Sequence, residues 1–250
     1  MTFDARVVAD KLLSARKSHT QLQATDIDQE ATTMDEAMAV HTHVMAELGA
    51  VGAFKTSKTP DGIPFFAPIP ANDVRPTGST FTGSELVQVG IELEIAFRIE
   101  QALPALDDLE FSDKLKAAVV AYPVIEVVDT RLAFLETCHP MMKLADNQAN
   151  AGLVFGAPVA DWQSLNVTNP GHRFTADETV ISEGIGAVPG GSAFEILESF
   201  VQAAGNHCGG LQVGQLVTTG ALSGLHWIEK GQTVRGHIDG LGGVEVVIGS

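Results

Sequence analysis

At 250 residues the chain is long enough to bury a sizeable core without a covalent staple. Its 31 acidic against 15 basic residues give a formal charge of -16, which repels a phosphate backbone, so no nucleic-acid partner is expected. Two cysteines, the lack of a leader-like start and the lack of any apolar run near the roughly 20 residues of a membrane helix predict a soluble, cytoplasmic protein with no membrane partner.

The first fifty residues read as helical. Phe3, Val7, Val8, Leu12 and Leu13 form one apolar stripe, and Met34, Met38, His41, Met45 and Leu48 form another at steps of three or four. Thr33 with Glu36 makes a capping box, and Gly49 closes the second helix. From Gly52 to Thr82 the chain turns rich in Pro and Gly, which predicts irregular backbone over a surface or around a site.

The period then drops to two. Ile91, Leu93, Ile95, Phe97 and Ile99 alternate with Glu92, Glu94, Ala96, Arg98 and Glu100, as in a strand with one buried face. Val119 to Val128 is a more continuously apolar run, and further strands are expected at 152–156, 174–181, 215–219, 233–238 and 244–248. A helix opened by the Ser192/Glu195 box and closed by Gly205 interrupts them. Dense Gly turns without regular strand-helix alternation predict an α+β fold: a mixed, mainly antiparallel β-sandwich or roll behind an N-terminal helical segment. Residues 1–50 are that segment and 51–250 a β-rich catalytic core, packed as one compact unit.

Glu92 and Glu94, two apart on a strand, leave the same face, and two such carboxylates repel unless water, a cation or a shared proton relieves them. A solvated outer face is the ordinary explanation of any Glu-x-Glu. Glu126 shifts the balance, because Val124, Ile125, Val127 and Val128 around it imply burial, and buried carboxylates need a partner. Arg131 is available to pair with Asp129 or Glu126. Three strand-borne carboxylates also form a ligand set for a hard ion such as Mg²⁺ or Mn²⁺. They leave excess negative charge on a dication, so a nearby cation is expected: Lys55, with Lys58 the alternative.

Other features carry less. His41 and His43 point in different directions on a helix and read as surface or packing residues. Cys138-His139 and His207-Cys208 are adjacent pairs with no Cys-x-x-Cys spacing, so free thiols are expected. The Gly clusters at 184–186 and 240–243 are turns and not phosphate loops, and Ser223 has no adjacent base in sequence.

The ordered pieces GAFKTS, IELEIAF, VIEVVDTR, LADNQANAG, VTTGALSG and KGQTVRGHIDGLGGVEV resemble the fumarylacetoacetate hydrolase superfamily and, within it, the 2-keto-4-pentenoate hydratase branch. The resemblance runs from about the second helix to the C-terminus. It implies that Glu92, Glu94 and Glu126 ligate Mg²⁺ or Mn²⁺, that Lys55 and Asp73 are catalytic, and that Thr219 and Gly220 contact the substrate carboxylate. The implied reaction is hydration of a 2-hydroxy-2,4-dienoate to a 4-hydroxy-2-oxo acid in aromatic-compound catabolism. A vinylogous decarboxylase of the 4-oxalocrotonate type is one alternative. An acylpyruvate carbon-carbon hydrolase using His19 or His41/His43 is another, and a structural partner subunit of a hydratase-decarboxylase complex a third. Family habit also implies a homo-oligomer, with a related decarboxylase as a further partner. The chain departs from the family at Gly90, at Gln148-Ala149-Asn150 and at Gly190-Gly191-Ser192, all around the expected pocket.

Overall fold

The computed structural model describes residues 2–59 and 61–250; Met1 and Pro60, which fall in the helical and Pro-rich segments, lie outside the described residues. Helix α1 (Ala5–Ser18) starts where the Asp4 side chain accepts the N–H groups of Arg6 and Val7. Helix α2 (Met34–Leu48) carries the Thr33/Glu36 capping box and ends at Gly49, as its sequence predicts.

The Pro-rich segment departs from expectation. It forms an antiparallel hairpin, β1 (Val51–Lys58) with β2 (Pro64–Pro70), followed by the short strands β3 (Val74–Pro76) and β4 (Ser79–Phe81). Strand β2 is the outermost of its sheet. An edge strand needs only one row of hydrogen bonds, so Pro64, Pro68 and Pro70 fit without breaking a ladder.

There follow β5 (Gly90–Ile99), α3 (Phe111–Ala118), β6 (Val119–Val128), α4 (Pro140–Ala145) and β7 (Asn150–Phe155). The expected 174–181 strand is instead a hairpin of β8 (Gly171–Ala176) and β9 (Thr179–Ile185), broken where Asp177 takes a left-handed φ of 50°. Helix α5 (Ala193–Ala204) has the Ser192/Glu195 box. Strands β10 (Leu216–Ala221), β11 (His226–Trp227), β12 (Thr233–Ile238) and β13 (Gly242–Ile248) complete the chain.

Two sheets result. One runs β2-β1-β10-β5-β6-β7-β3 with β11 added to β5; the other runs β4-β13-β12-β8-β9. Among the described strand pairs only β1–β10, β3–β7 and β4–β13 are parallel, so the fold is α+β with mixed, mainly antiparallel sheets. Ile91, Leu93, Ile95, Ile125 and Val127 point into the main core with Val234, Val244 and Val246 of the second sheet. The sheets approach closely there: a Cβ on Gly236 would collide with Leu93. Phe200 of α5 packs its ring 5.3 Å from Phe54 and 4.8 Å from Phe66.

The opposite face of β5 and β6 carries Ala96, Tyr122 and Val124 in a smaller apolar cluster, and the same face continues into Glu92, Glu94 and Glu126. It is not the open face that alternation suggests. Glu94 is 2% exposed and Glu126 fully buried, because β5 and β6 are central strands covered on both sides. Helices α1, α2 and α4 share a separate core around Val8, Val40 and Met142. No helix among the described residues is long and apolar enough to cross a membrane.

Candidate metal centre

Glu92 and Glu126 face each other directly across the β5–β6 ladder, and Glu94 follows on the same face. Their carboxylate oxygens lie within 4.8 Å of one another, the one such grouping of three His, Cys, Asp or Glu side chains among the described residues. Lys55 reaches them from β1, with Nζ 2.6 Å from Glu126 Oε1 and 3.8 Å from Glu92 Oε2. It also donates to the Gln148 carbonyl at 3.3 Å. Lys58, three residues on along β1, leaves the other face of the strand and is not part of the cluster.

A bulge in β10 serves the same site. The register with β5 shifts between Thr218 and Ala221, and Gly220, at φ 98°, turns its N–H onto Glu94 Oε2 at 2.8 Å. Asn150 Nδ2 donates to Glu126 Oε1 at 3.0 Å. Glu126 Oε2, by contrast, is buried with no hydrogen-bond partner.

The electrostatics follow from this crowding. Burial first, then the charges of Glu126 and Glu92, push the Glu94 carboxyl up to about 8 against the pull of Lys55. Glu126 is also raised, chiefly by burial. For Lys55, burial works to lower the pKa, but Glu126, Glu92 and Glu94 together outweigh it and hold the ammonium above its ordinary value. Three carboxylates against one ammonium set that direction.

Residues Glu92, Glu94 and Glu126 have the composition of a hard-cation site. Their ligand atoms are all oxygen, their negative charge exceeds what Lys55 balances, and one carboxylate oxygen has lost water without gaining a donor. Beside them opens a cavity of about 390 Å³. Lys55, Glu92 and Gln148 line one part, and Met34, Phe65, Val128, Leu135, Met141 and Leu144 make most of the rest apolar.

The other expected site residues lie elsewhere. Asp73 is outside this cavity, in a second cleft, where it accepts a 2.9 Å bond from Arg16. Thr219 is buried and its hydroxyl donates to the Ile95 carbonyl, while the Gly220 N–H is committed to Glu94; neither lines the cavity. Arg131 forms an ion pair with the carboxylate of neither Asp129 nor Glu126: its buried guanidinium binds Asp146 and donates to the Asn150 and Asp129 carbonyls. Asp129 accepts the N–H groups of Val87 and Gln88 and so fixes the approach to β5. His41 is buried and bonds the Leu144 carbonyl and His207, which is a packing role. Ser223 does meet a base, His226, at 3.2 Å, but neither residue lines the cavity.

Gln148, Asn150 and Lys143 were not singled out by spacing. The segment that carries the first two, LADNQANAG, is irregular: Asn147, Gln148 and Ala149 adopt left-handed φ of 51°, 51° and 59°. Non-Gly residues rarely do so, and three in succession are held here by the Asp146–Arg131 pair, by Asn147 Nδ2 on the Pro68 carbonyl and by the Ala149 carbonyl on the Asp129 N–H.

No family model matches the chain. A 2-keto-4-pentenoate hydratase of Burkholderia vietnamiensis is 30% identical over 166 residues, which are 64% of this chain and 61% of that relative, so the match spans less than two thirds of the relative's length. The 4-oxalocrotonate decarboxylase of Pseudomonas putida G7, solved with magnesium and adipate, superposes with TM-score 0.81 at 18% identity and 98% coverage of both chains. A fumarylpyruvate hydrolase of Pseudomonas aeruginosa, solved with Mn²⁺ and pyruvate, gives TM-score 0.57 at 16% identity over 80% of this chain and 91% of that one. The chain is thus similar in sequence to the 2-keto-4-pentenoate hydratases and has the fold of the fumarylacetoacetate hydrolase superfamily.

Proposed function

We propose that the chain is a divalent-metal-dependent enzyme that hydrates a 2-hydroxy-2,4-dienoate to a 4-hydroxy-2-oxo acid. The observation that carries this is the buried trio of Glu92, Glu94 and Glu126 with Lys55 against it, opening on an apolar cavity. The trio would hold Mg²⁺ or Mn²⁺. When bound, such an ion supplies Lewis-acid stabilisation of negative charge on the oxygens of a 2-oxo acid.

The chain's own residues do the rest. The apolar walls exclude water from the conjugated tail, and Gly220 N–H and Asn150 Nδ2 fix the orientation of Glu94 and Glu126. Lys55 is the proton carrier. Among the described residues it is the one side chain lining the cavity that both meets the carboxylates and bears transferable protons, at Nζ. Asp73 is held by Arg16 in the other cleft and does not line this cavity.

The same centre also suits loss of CO₂, and the overlap with the decarboxylase over 98% of both chains favours decarboxylation as the second reading. Carbon-carbon hydrolysis is less well supported, since no His lines the cavity among the described residues.

Purified protein with Mn²⁺ is to be offered 2-hydroxypenta-2,4-dienoate, 4-oxalocrotonate and an acylpyruvate, with dienol absorbance followed and products identified. Formation of 4-hydroxy-2-oxopentanoate is expected. Carbon dioxide from 4-oxalocrotonate without hydration would replace the proposal by the second reading.

A further inference from the structure

Resting on that reading, we propose that the preferred substrate is a 2-oxo acid whose apolar tail ends in a second carboxylate, and that Lys143 recognises this tail group. The cavity has the volume of a small ligand site, near the lower end of the roughly 300 to 1,000 Å³ such sites occupy. Three charged side chains line it: Lys55, Glu92 and Lys143. The first two already face each other at 3.8 Å, and Lys55 is further tied to Glu126. The Lys143 side chain has no ion pair or hydrogen bond among the described residues, in a chain with 31 acidic residues for 15 basic ones. A cation left without a partner amid such an excess of acids, on the wall of a ligand-sized cavity, is matched to something that enters from outside.

Lys143 comes from a different element of the cavity wall than the ligands of the head group. It lies on α4, between Met141 and Leu144, which line the same cavity, whereas the carboxylate trio and Lys55 come from β5, β6 and β1. A ligand held at its 2-oxo acid head by the trio runs past Met34, Phe65 and Val128, which admit carbon but offer no hydrogen bond. Only at Lys143 does the wall again offer a positive donor. A terminal carboxylate there gains a charge-assisted hydrogen bond that a terminal methyl cannot. The alternative role for Lys143 is local: a basic residue in the last turn of a helix interacts favourably with the carbonyl end. That role affects stability and not ligand choice.

The two roles separate in a calorimetric titration of Mn²⁺-loaded protein with 2-oxoadipate and 2-oxohexanoate, six-carbon 2-oxo acids that differ in a terminal carboxylate against a methyl. Wild-type protein is expected to bind the diacid about tenfold tighter, about 1.4 kcal/mol, with the preference shrinking as salt is raised. Lys143→Met should abolish the preference by weakening 2-oxoadipate about tenfold while moving 2-oxohexanoate less than twofold. Lys143→Arg should keep it, and Lys143→Glu should invert it. Equal affinity of the wild type for the two acids, or equal weakening of both by Lys143→Met, overturns the tail assignment and leaves the 2-oxo acid reading standing. Bound Mn²⁺ with affinity for neither acid sinks the 2-oxo acid reading, and the tail assignment with it.

Discussion

Lys55 Nζ lies 2.6 Å from Glu126 Oε1, although the two residues sit on β1 and β6 with β10 and β5 between them in the sheet. A lysine extended across two strands to reach a buried carboxylate holds together a site that would otherwise repel itself.

Replacing Lys55 by Met leaves three crowded carboxylates without their counter-charge. Removing one partner of a buried pair typically costs about 3–5 kcal/mol, so the metal-free variant should melt well below wild type. Added Mn²⁺ should raise its Tm more than it raises that of wild type, while turnover falls at least about 100-fold with the loss of the proton carrier. Thermal melts with and without Mn²⁺, together with kcat, check this; unchanged turnover would remove Lys55 from the chemistry.

The left-handed turn at Asn147, Gln148 and Ala149 presents the Gln148 carbonyl to Lys55. Gly tolerates that φ, whereas a residue with a Cβ is strained there by about 1–2 kcal/mol. After its own entropic cost of about 0.5–1 kcal/mol, Gln148→Gly should be neutral to slightly more stable and yet turn over more slowly, because the lysine's anchor is looser. A variant equally active and more stable would show that the strain serves nothing at the site.

His41 makes a pH prediction. Burial, reinforced by nearby His207, lowers it to about 3 despite its bond to the Leu144 carbonyl, against an ordinary 6.5. Above pH 6.5 neither the folded nor the unfolded state binds a proton there, and stability is unaffected. Between 6.5 and about 3 the unfolded chain takes up a proton that the folded chain refuses, so stability falls by about 1.4 kcal/mol for each unit of decreasing pH. Urea denaturation at pH 5, 6 and 7.5 of wild type and His41→Gln isolates this contribution, since the other titrating groups are common to both. Identical pH slopes would mean that His41 titrates normally.

What could be read in advance was whatever rests on local pattern. Strands β6 and β12 have the bounds their apolar runs suggest, and the capping boxes at Thr33 and Ser192 open helices. The carboxylate trio was legible because alternation on β5 and an apolar run around Glu126 are local facts that need only strand pairing to meet. The hairpin of β1 and β2 was hidden because its prolines are compatible with a strand only at an edge, and edge position is decided by the whole sheet. The contacts of Lys143, Gln148 and Asn150 were hidden because they depend on where α4 and the turn after it lie, not on spacing. The acid that pairs with Arg131 was hidden for the same reason: Asp146, fifteen residues away, reaches it only through the fold.

The most direct measurement is Mn²⁺ binding by chelator-stripped protein, with free ion followed by electron paramagnetic resonance. Wild type should bind one equivalent. Replacing a residue that merely orients a ligand typically costs 10- to 100-fold in affinity, so removal of a ligand itself in Glu94→Gln or Glu126→Gln should cost at least about 100-fold. A wild-type protein that binds no Mn²⁺, or a Glu94→Gln variant that binds it as tightly as wild type, would contradict the metal centre and the reaction proposed for it.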